Sequence, residues 1–305
     1  MEVLIVDGQS KDKTRDKIAA YVHNYPFIYL YDNPKRYSPY ALNIGIAKSK
    51  GEVIIRLDAH CLYPSNYFSV LVEKLFELGA DNVGGVWKTV PADDSNVAWA
   101  VAIASSHSFG VGNSFHKTGV RQIREVDTVP FGCFRRELFD RIGLFDEQLI
   151  RNQDDELNAR IIRSGGKIFL LPELEIVYTP RGSFSKISKT YFQYGLFKPL
   201  VNKKIRVPAS WRQFVPVLFV AGLLAGLPLL LFFTPIRWIY LGFLALYFAI
   251  GLCIGIQQAF KHKKPALVFL MPLVFFLVHF SYGCGYWKGL WKVVAGSDFR
   301  VKDSR

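Results

Sequence analysis

Over the first two hundred positions apolar residues come in short bursts separated by polar runs; beyond Val215 they come in long, almost unbroken stretches. The bursts at 2–6 (EVLIV) and 52–57 (EVIIRL) are too brief for helices and predict strands. Between them the pattern predicts a helix over 14–24, a strand over 28–31 and a helix over 39–49. A helix over 65–78 and a strand over 82–88 follow. Strand and helix in alternation is the signature of a layered α/β sheet. The stretches at 215–233, 239–260 and 265 to about 283 each approach the 20 or so residues that a helix needs to cross roughly 30 Å of hydrocarbon. Buried core helices are the competing reading, a poor one for three in series.

Charge sharpens the division. The chain of 305 residues carries a net charge of +13, and no acidic residue falls between Glu175 and Asp298. Arg181, Lys186, Lys189, Lys198, Lys203, Lys204, Arg206 and Arg212 lead straight into the first apolar stretch. Such a segment gains roughly 1 kcal/mol per Lys or Arg from an anionic leaflet, which makes anionic membrane lipids an expected partner. It also puts the preceding domain on the cytoplasmic side of the cell membrane. The loop Lys261, His262, Lys263, Lys264 is basic as well, whereas the loop between the first two stretches holds only Arg237. Three crossings would place Lys288, Lys292, Arg300, Lys302 and Arg305 on the far side, against that rule. Either the tail is an interfacial amphipathic helix, or one stretch re-enters without crossing. With 50% hydrophobic residues the chain is not disordered, and no RNP, zinc-finger or basic-helix pattern accompanies the charge, so nucleic acid is not an expected partner. Cys61, Cys133, Cys253 and Cys284 share no metal or redox spacing and read as reduced thiols.

Three constellations carry candidate chemistry. In VDGQSKDKT, Asp7 ends a strand and Gly8 opens the following turn, at the edge where α/β sheets bind ligands. Asp7 could accept hydrogen bonds from a base or ribose; a turn with a helix cap explains it equally. In RLDAH, Asp58 and His60 point the same way if the strand stays extended, a spacing that lets a carboxylate and an imidazole reach one Mg or Mn ion. A plain strand-end turn is the alternative. In RNQDDELNARIIRSGG, Asp154, Asp155 and Glu156 open a helix whose dipole favours them, yet their mutual repulsion should raise at least one pKa toward that of a general base. Glu156 and Arg160 stand at i and i+4, a spacing for a local ion pair.

In this order, VDGQS, DAH and QDDEL resemble the motifs of family 2 glycosyltransferases, with the nearest likeness to membrane-attached, succinoglycan-type sugar transferases of exopolysaccharide assembly. The likeness covers about residues 2–200. It implies a GT-A fold, a Rossmann-like mixed α/β sheet flanked by helices, followed by C-terminal transmembrane helices. The resulting division is a GT-A domain over 1–200, a basic linker over 201–214, a membrane region of about three helices over 215–291 and a polar tail over 292–305. The chain opens at what corresponds to the family's second strand, so its first strand, Pro-x-x-Asn-Glu loop and first helix are expected to be missing from the domain.

The resemblance implies that Asp7, Gly8, Asn43 and Asp58 bind the nucleotide-sugar donor, a UDP-sugar. Asp58 and His60 would hold the divalent cation, and Asp154 would be the catalytic base. Gly132 (in VPFGCFRR), Glu156, Arg160 and Gln193 would face the acceptor. The chain departs from the family in three places: Gln153 replaces the first acid of the ED pair, QYGLF at 193–197 replaces the QxxRW box of processive synthases, and Thr179 stands where the family has a histidine. The expected activity is inverting, metal-dependent transfer of a hexose to a lipid-linked or membrane-bound saccharide in polysaccharide synthesis. Transfer to polyprenyl phosphate and a non-catalytic membrane nucleotide-binding protein of the same fold are the alternatives.

Overall fold

The computed structural model describes residues 1–208, 210–232 and 234–299, so Arg300, Lys302 and Arg305 of the expected tail lie outside the described residues. The elements run β1 (Val3–Asp7), α1 (Thr14–Asn24), β2 (Ile28–Asp32), α2 (Ser38–Lys48), β3 (Val53–Ile55), β4 (Cys61–Leu62), α3 (Tyr67–Glu77) and β5 (Asn82–Thr89). They continue with α4 (Asn96–Ser106), α5 (Ser108–Val111), α6 (Phe115–Thr118), β6 (Arg124–Glu125), β7 (Cys133–Arg135), α7 (Arg136–Ile142), α8 (Gln153–Arg163) and β8 (Ile168–Tyr178). The last four helices are α9 (Phe184–Ile205), α10 (Phe214–Phe232), α11 (Thr234–His262) and α12 (Leu267–Val294).

β1 and β2 form a parallel pair, with Asp7 opposite Asp32. The larger sheet has the order β3-β7-β5-β8-β4, with β6 also on β8, and its pairs β3–β7, β5–β7, β4–β8 and β6–β8 are antiparallel. This is the expected mixed sheet flanked by helices. By packing, the chain divides into one unit of residues 1–59, 63–85 and 120–174 and another of residues 60–62, 86–119 and 175–305.

In the first unit the core follows from helical periodicity. Tyr67, Leu71 and Leu75 recur every fourth residue on α3 and are fully buried, and Leu157 and Ile161 do the same on α8. Each such side chain contributes roughly 1.5–3 kcal/mol by leaving water. α2 opens with Pro39 in its first turn, where a missing N–H costs nothing.

One strand is shorter than its sequence suggests. β3 ends at Ile55, because the Tyr63 hydroxyl accepts from the Asp58 N–H at 2.7 Å and donates to the Asp58 carbonyl at 3.2 Å, curling the chain back. Residues 59 and 60 lie in a turn, so the extended spacing that would aim Asp58 and His60 the same way is not realised.

The second unit is built on helices. Ala100, Val101 and Ala104 of α4, Ile187 and Tyr191 of α9, and Leu267, Met271, Val274, Phe275 and Val278 of α12 make one core. Phe219, Val220 and Tyr247 make a smaller one between α10 and α11. The segments 211–228, 237–262 and 267–294 are long and apolar enough to cross a membrane. None of the four cysteines is in a disulfide.

Candidate active site

Arg56 is the centre of the site. Strand β3 delivers it into the interior, where 6% of its side chain stays accessible, and a cation there needs anionic partners. It has two. One terminal nitrogen, Nη2, donates to Asp58 Oδ1 at 3.1 Å, and the other, Nη1, donates to Asp154 Oδ1. The guanidinium also faces the Phe131 ring at 5.6 Å. Two of the three expected carboxylates are therefore brought together by a residue between them, and the two acids hold the Arg56 pKa above its usual value against the opposing effect of burial.

Asp154 stands in the first turn of α8, whose N-cap Asn152 adopts the left-handed conformation at φ 60°. Its side chain keeps 32% of its surface, but the carboxyl end is closely surrounded by protein. Burial raises its pKa first, Arg56 works against this, and the charges of Asp58 and Asp155 add to the rise, so the carboxyl is pushed up to about 6. That value lies in the range where a carboxylate serves as a base near neutral pH.

Asp58 keeps 26% of its side-chain surface, and among the described residues its second oxygen, Oδ2, meets only the distant Arg56 nitrogen at 3.5 Å. Among the described residues no three His, Cys, Asp or Glu side chains converge as a protein-only metal site requires. One lightly bonded carboxylate oxygen fits a divalent ion that takes its other ligands from phosphate groups and water. His60 is exposed, edge-on to Tyr178 at 6.0 Å.

Asp7 closes β1 in a separate cluster. It accepts from the Ser10 N–H at 2.9 Å, the Ser10 hydroxyl at 2.6 Å and Arg15 Nη1 at 2.9 Å, while Arg15 also reaches Asp32 at 2.6 Å. Burial would raise its pKa, but the Ser10 bonds and Arg15 outweigh it and hold the carboxyl below the usual range. Gly8 follows directly, and Gln9 turns the chain at φ 61° while accepting from Arg36 at 2.8 Å. The described partners of Asp7 are Ser10 and Arg15, not Asp58 or Asp154.

Several residues expected to face substrate are committed elsewhere. Asn43 is buried; its amide donates to the Phe145 carbonyl at 2.9 Å and to Glu147 at 3.0 Å, and its oxygen accepts from the Phe145 N–H at 3.0 Å. It ties α2 to the segment after α7. Glu156 is buried with both oxygens held by Arg160 at 2.8 Å, and Arg160 also donates to the carbonyls of Ile142, Gly143 and Leu144, which end α7. This pair caps the end of α7. At Gly132 the close approach is made by the protein's own Asn82 and Phe134, which a Cβ would strike. Gln193 lies half-buried on α9 in the second unit. The residue that motif reading left without a role is Arg56, although a lone arginine inside the apolar run EVIIRL signals a buried cation with partners to find.

The Glycosyl transferase family 2 model matches residues 1–143. The succinoglycan biosynthesis protein ExoA of Rhizobium meliloti is 30% identical over 290 residues, covering 94% of this chain and 85% of that protein. The chain belongs to glycosyl transferase family 2. A second relative in the family's chemistry is the dolichyl N-acetyl-α-D-glucosaminyl phosphate 3-β-D-2,3-diacetamido-2,3-dideoxy-β-D-glucuronosyltransferase of Methanococcus voltae. It is 29% identical over 300 residues, covering 95% of this chain and 88% of that protein. Among solved structures, the mannosyltransferase PcManGT of Pyrobaculum calidifontis, in complex with GDP-Man and Mn2+, superposes with a TM-score of 0.55 at 17% identity. It covers 92% of this chain and 77% of that one, a likeness of fold. This family 2 member is thus a hexosyltransferase of GT-A fold carrying apolar C-terminal helices fit for membrane attachment.

Proposed function

We propose that the protein moves a hexose, with inversion, from a nucleotide-sugar to a saccharide held in the membrane by a lipid, on the cytoplasmic face of the cell membrane. The observation that carries this reading is the buried Arg56 joining Asp58 to an Asp154 whose carboxyl titrates near 6. Asp154 is the base. It takes the proton of the acceptor hydroxyl as that oxygen attacks the anomeric carbon from the face opposite the diphosphate. The bond from the anomeric carbon to the phosphate oxygen breaks, its electron pair leaves with the nucleoside diphosphate, and a single displacement inverts the centre. Arg56 acts through the two acids as a positioning residue, fixing the Asp154 carboxyl and remaining paired with Asp58 when Asp154 is protonated.

Asp7, ionised at neutral pH and fixed at the end of β1, faces the nucleoside. Asp58 would hold a divalent cation, Mg or Mn, through Oδ2, and that ion would neutralise charge on the departing diphosphate. The mannosyltransferase of similar fold, solved with GDP-Man and Mn2+, supports a nucleotide-sugar and a divalent ion; UDP as the nucleotide comes from the family likeness. The Methanococcus relative, named for a dolichyl phosphate sugar, and the Rhizobium relative, named for succinoglycan, support a lipid-linked acceptor in polysaccharide synthesis. Asp154→Asn is the test. Sugar transfer into the lipid fraction should fall by at least about 100-fold, the scale of a lost general base, while calorimetric binding of UDP with Mn is retained. Undiminished transfer would overturn the assignment.

A further inference from the structure

We infer that α12, although apolar and long enough to span a bilayer, does not cross it. It lies along the membrane surface, across the base of an α10–α11 hairpin that does cross, with its tryptophan-bearing face in the lipid. The inference is independent of the catalytic reading above.

The course of the three helices is fixed by their contacts. α10 and α11 run antiparallel: Phe219 stacks on Tyr247 at 4.7 Å, and further along Gly226 lies beneath the Tyr240 ring, whose hydroxyl donates to the Leu223 carbonyl at 3.1 Å. From the Phe219–Tyr247 level the pair continues to its connection near residue 233, and Leu224, Leu227, Trp238, Ile239 and Phe243 face outward on the way. α12 meets the hairpin at that same level, where the Tyr247 hydroxyl lies 2.8 Å from His279 Nδ1. Toward its N-terminus α12 follows α11 away from the connection, with Pro272 against Gly251 and Leu267 and Val268 against Gly255. Toward its C-terminus it follows α10 back to its first turn: Gly283 lies on the Pro216 carbonyl, the Trp287 indole donates to the Val217 carbonyl at 3.2 Å, and Tyr286 packs edge-on to Phe214 at 6.0 Å. Both ends of α12 are therefore at the base of the hairpin. A third crossing helix would have one end at the base and the other at the tip.

The base is also where polar and charged protein gathers. Just before α12, Lys264 pairs with Asp94 at 2.9 Å, and the Trp99 indole donates to the same carboxylate at 3.0 Å, pinning this loop to the start of α4. Along α12, Gly285 and Gly289 let the α9 backbone in at Phe192 and Leu196. That helix carries Lys186, Lys189, Lys198, Lys203 and Lys204, a composition made for a surface and not for hydrocarbon. Toward its C-terminus α12 leaves one face uncovered at helical spacing: Trp287, Leu290, Trp291 and Val294 are 44%, 37%, 73% and 77% exposed, and Phe269 and Leu273 are exposed nearer its start. Lys288 and Lys292 lie on the same stretch, and Trp211 is exposed just before α10. Tryptophan over lysine beside a chain segment without a single acid from 176 to 297 matches an anionic lipid surface. Trp238, exposed at the hairpin tip, marks the opposite interface. The geometry also removes the conflict in positive charge, because Lys288 and Lys292 stay on the side of the α9 lysines.

Single cysteines on a background in which all four native cysteines are serine test this in phosphatidylglycerol-containing vesicles. Lys203→Cys, Trp238→Cys and Ser297→Cys, the last just beyond the end of α12 and off its lipid-facing side, are treated with a membrane-impermeant maleimide and scored against total labelling in detergent. The expected result is that the cysteines at 203 and 297 react from the same side and the one at 238 from the other. Reaction at 297 from the side of 238, reaction at 297 from neither side, or reaction at 238 from the side of 203 would each overturn the proposal. If the serine background fails to fold, a protease site inserted after Ser297 in the native chain gives the same answer. It should be cut only from the side on which a site inserted in the loop after α9 is cut, and cutting from the opposite side, or from neither, would overturn the proposal.

Discussion

Replacing Arg56 by methionine keeps the side chain's bulk and removes its charge. The pair it serves is partly wet, with 26% and 32% of the Asp58 and Asp154 side chains accessible, while Arg56 itself is at 6%. Breaking a fully buried ion pair costs about 3–5 kcal/mol, and the access that water has to the two acids brings this to about 2–3 kcal/mol. The contact of the guanidinium with Phe131 adds roughly 0.5–1 kcal/mol. A loss of about 3 kcal/mol lowers the melting temperature of a domain this size by about 6–12 °C. The loss should also depend on pH in a defined sense. Asp154 titrates near 6 when folded against a usual 3.8, so the folded state binds more protons between these values and this group's contribution to stability falls as pH rises through them. Without Arg56 the folded carboxyl moves still higher, so the deficit relative to wild type is largest above about pH 7 and shrinks toward pH 5. Scanning fluorimetry of the full chain in detergent reads both effects. The double variant Arg56→Met/Asp154→Asn should regain part of the loss, since it removes the stranded charge. A deficit that is absent, independent of pH, or undiminished in the double variant would refute the reasoning.

Other outcomes follow from the same contacts. Asn43→Ala leaves the buried Phe145 N–H and carbonyl without partners and should cost about 2–3 kcal/mol, seen as a lower melting temperature with the donor KM unchanged. Arg160→Met strands the buried Glu156 and frees the last carbonyls of α7; it should destabilise by about 3 kcal/mol, and adding Glu156→Gln should recover part of that. Asp7→Asn should weaken UDP binding in calorimetry more than it lowers kcat. Because the folded Asp7 pKa is depressed, its contribution to stability is present above the usual carboxylate range and lost as pH falls through the folded value, so wild type and Asp7→Asn should converge in stability toward acid.

Much of the fold was legible because it rests on local pattern. The periodic burial of Tyr67, Leu71 and Leu75 and the terminal apolar stretches are properties of neighbouring residues. The site was legible only in part. Asp58 and Asp154 are candidates by motif, but what joins them is an arginine 98 residues from Asp154, a contact that no spacing rule contains. The raised Asp154 pKa is another example: three acids in a row suggest repulsion, whereas removal from water is the larger cause. The partners of Asn43 and of Arg160 come from the segment at 142–147, contacts that motif spacing does not show either. A turn fixed by Tyr63, five residues beyond Asp58, separates His60 from the role that an extended strand would give it.

The pH dependence of kcat/KM for sugar transfer tests the role of Asp154 most directly. The account predicts a rate that falls tenfold per pH unit below an apparent pKa near 6, over a range in which the melting temperature shows the protein still folded. A profile that stays flat to pH 4.5 in the folded enzyme, with Asp154→Asn turning over at the wild-type rate, would contradict it.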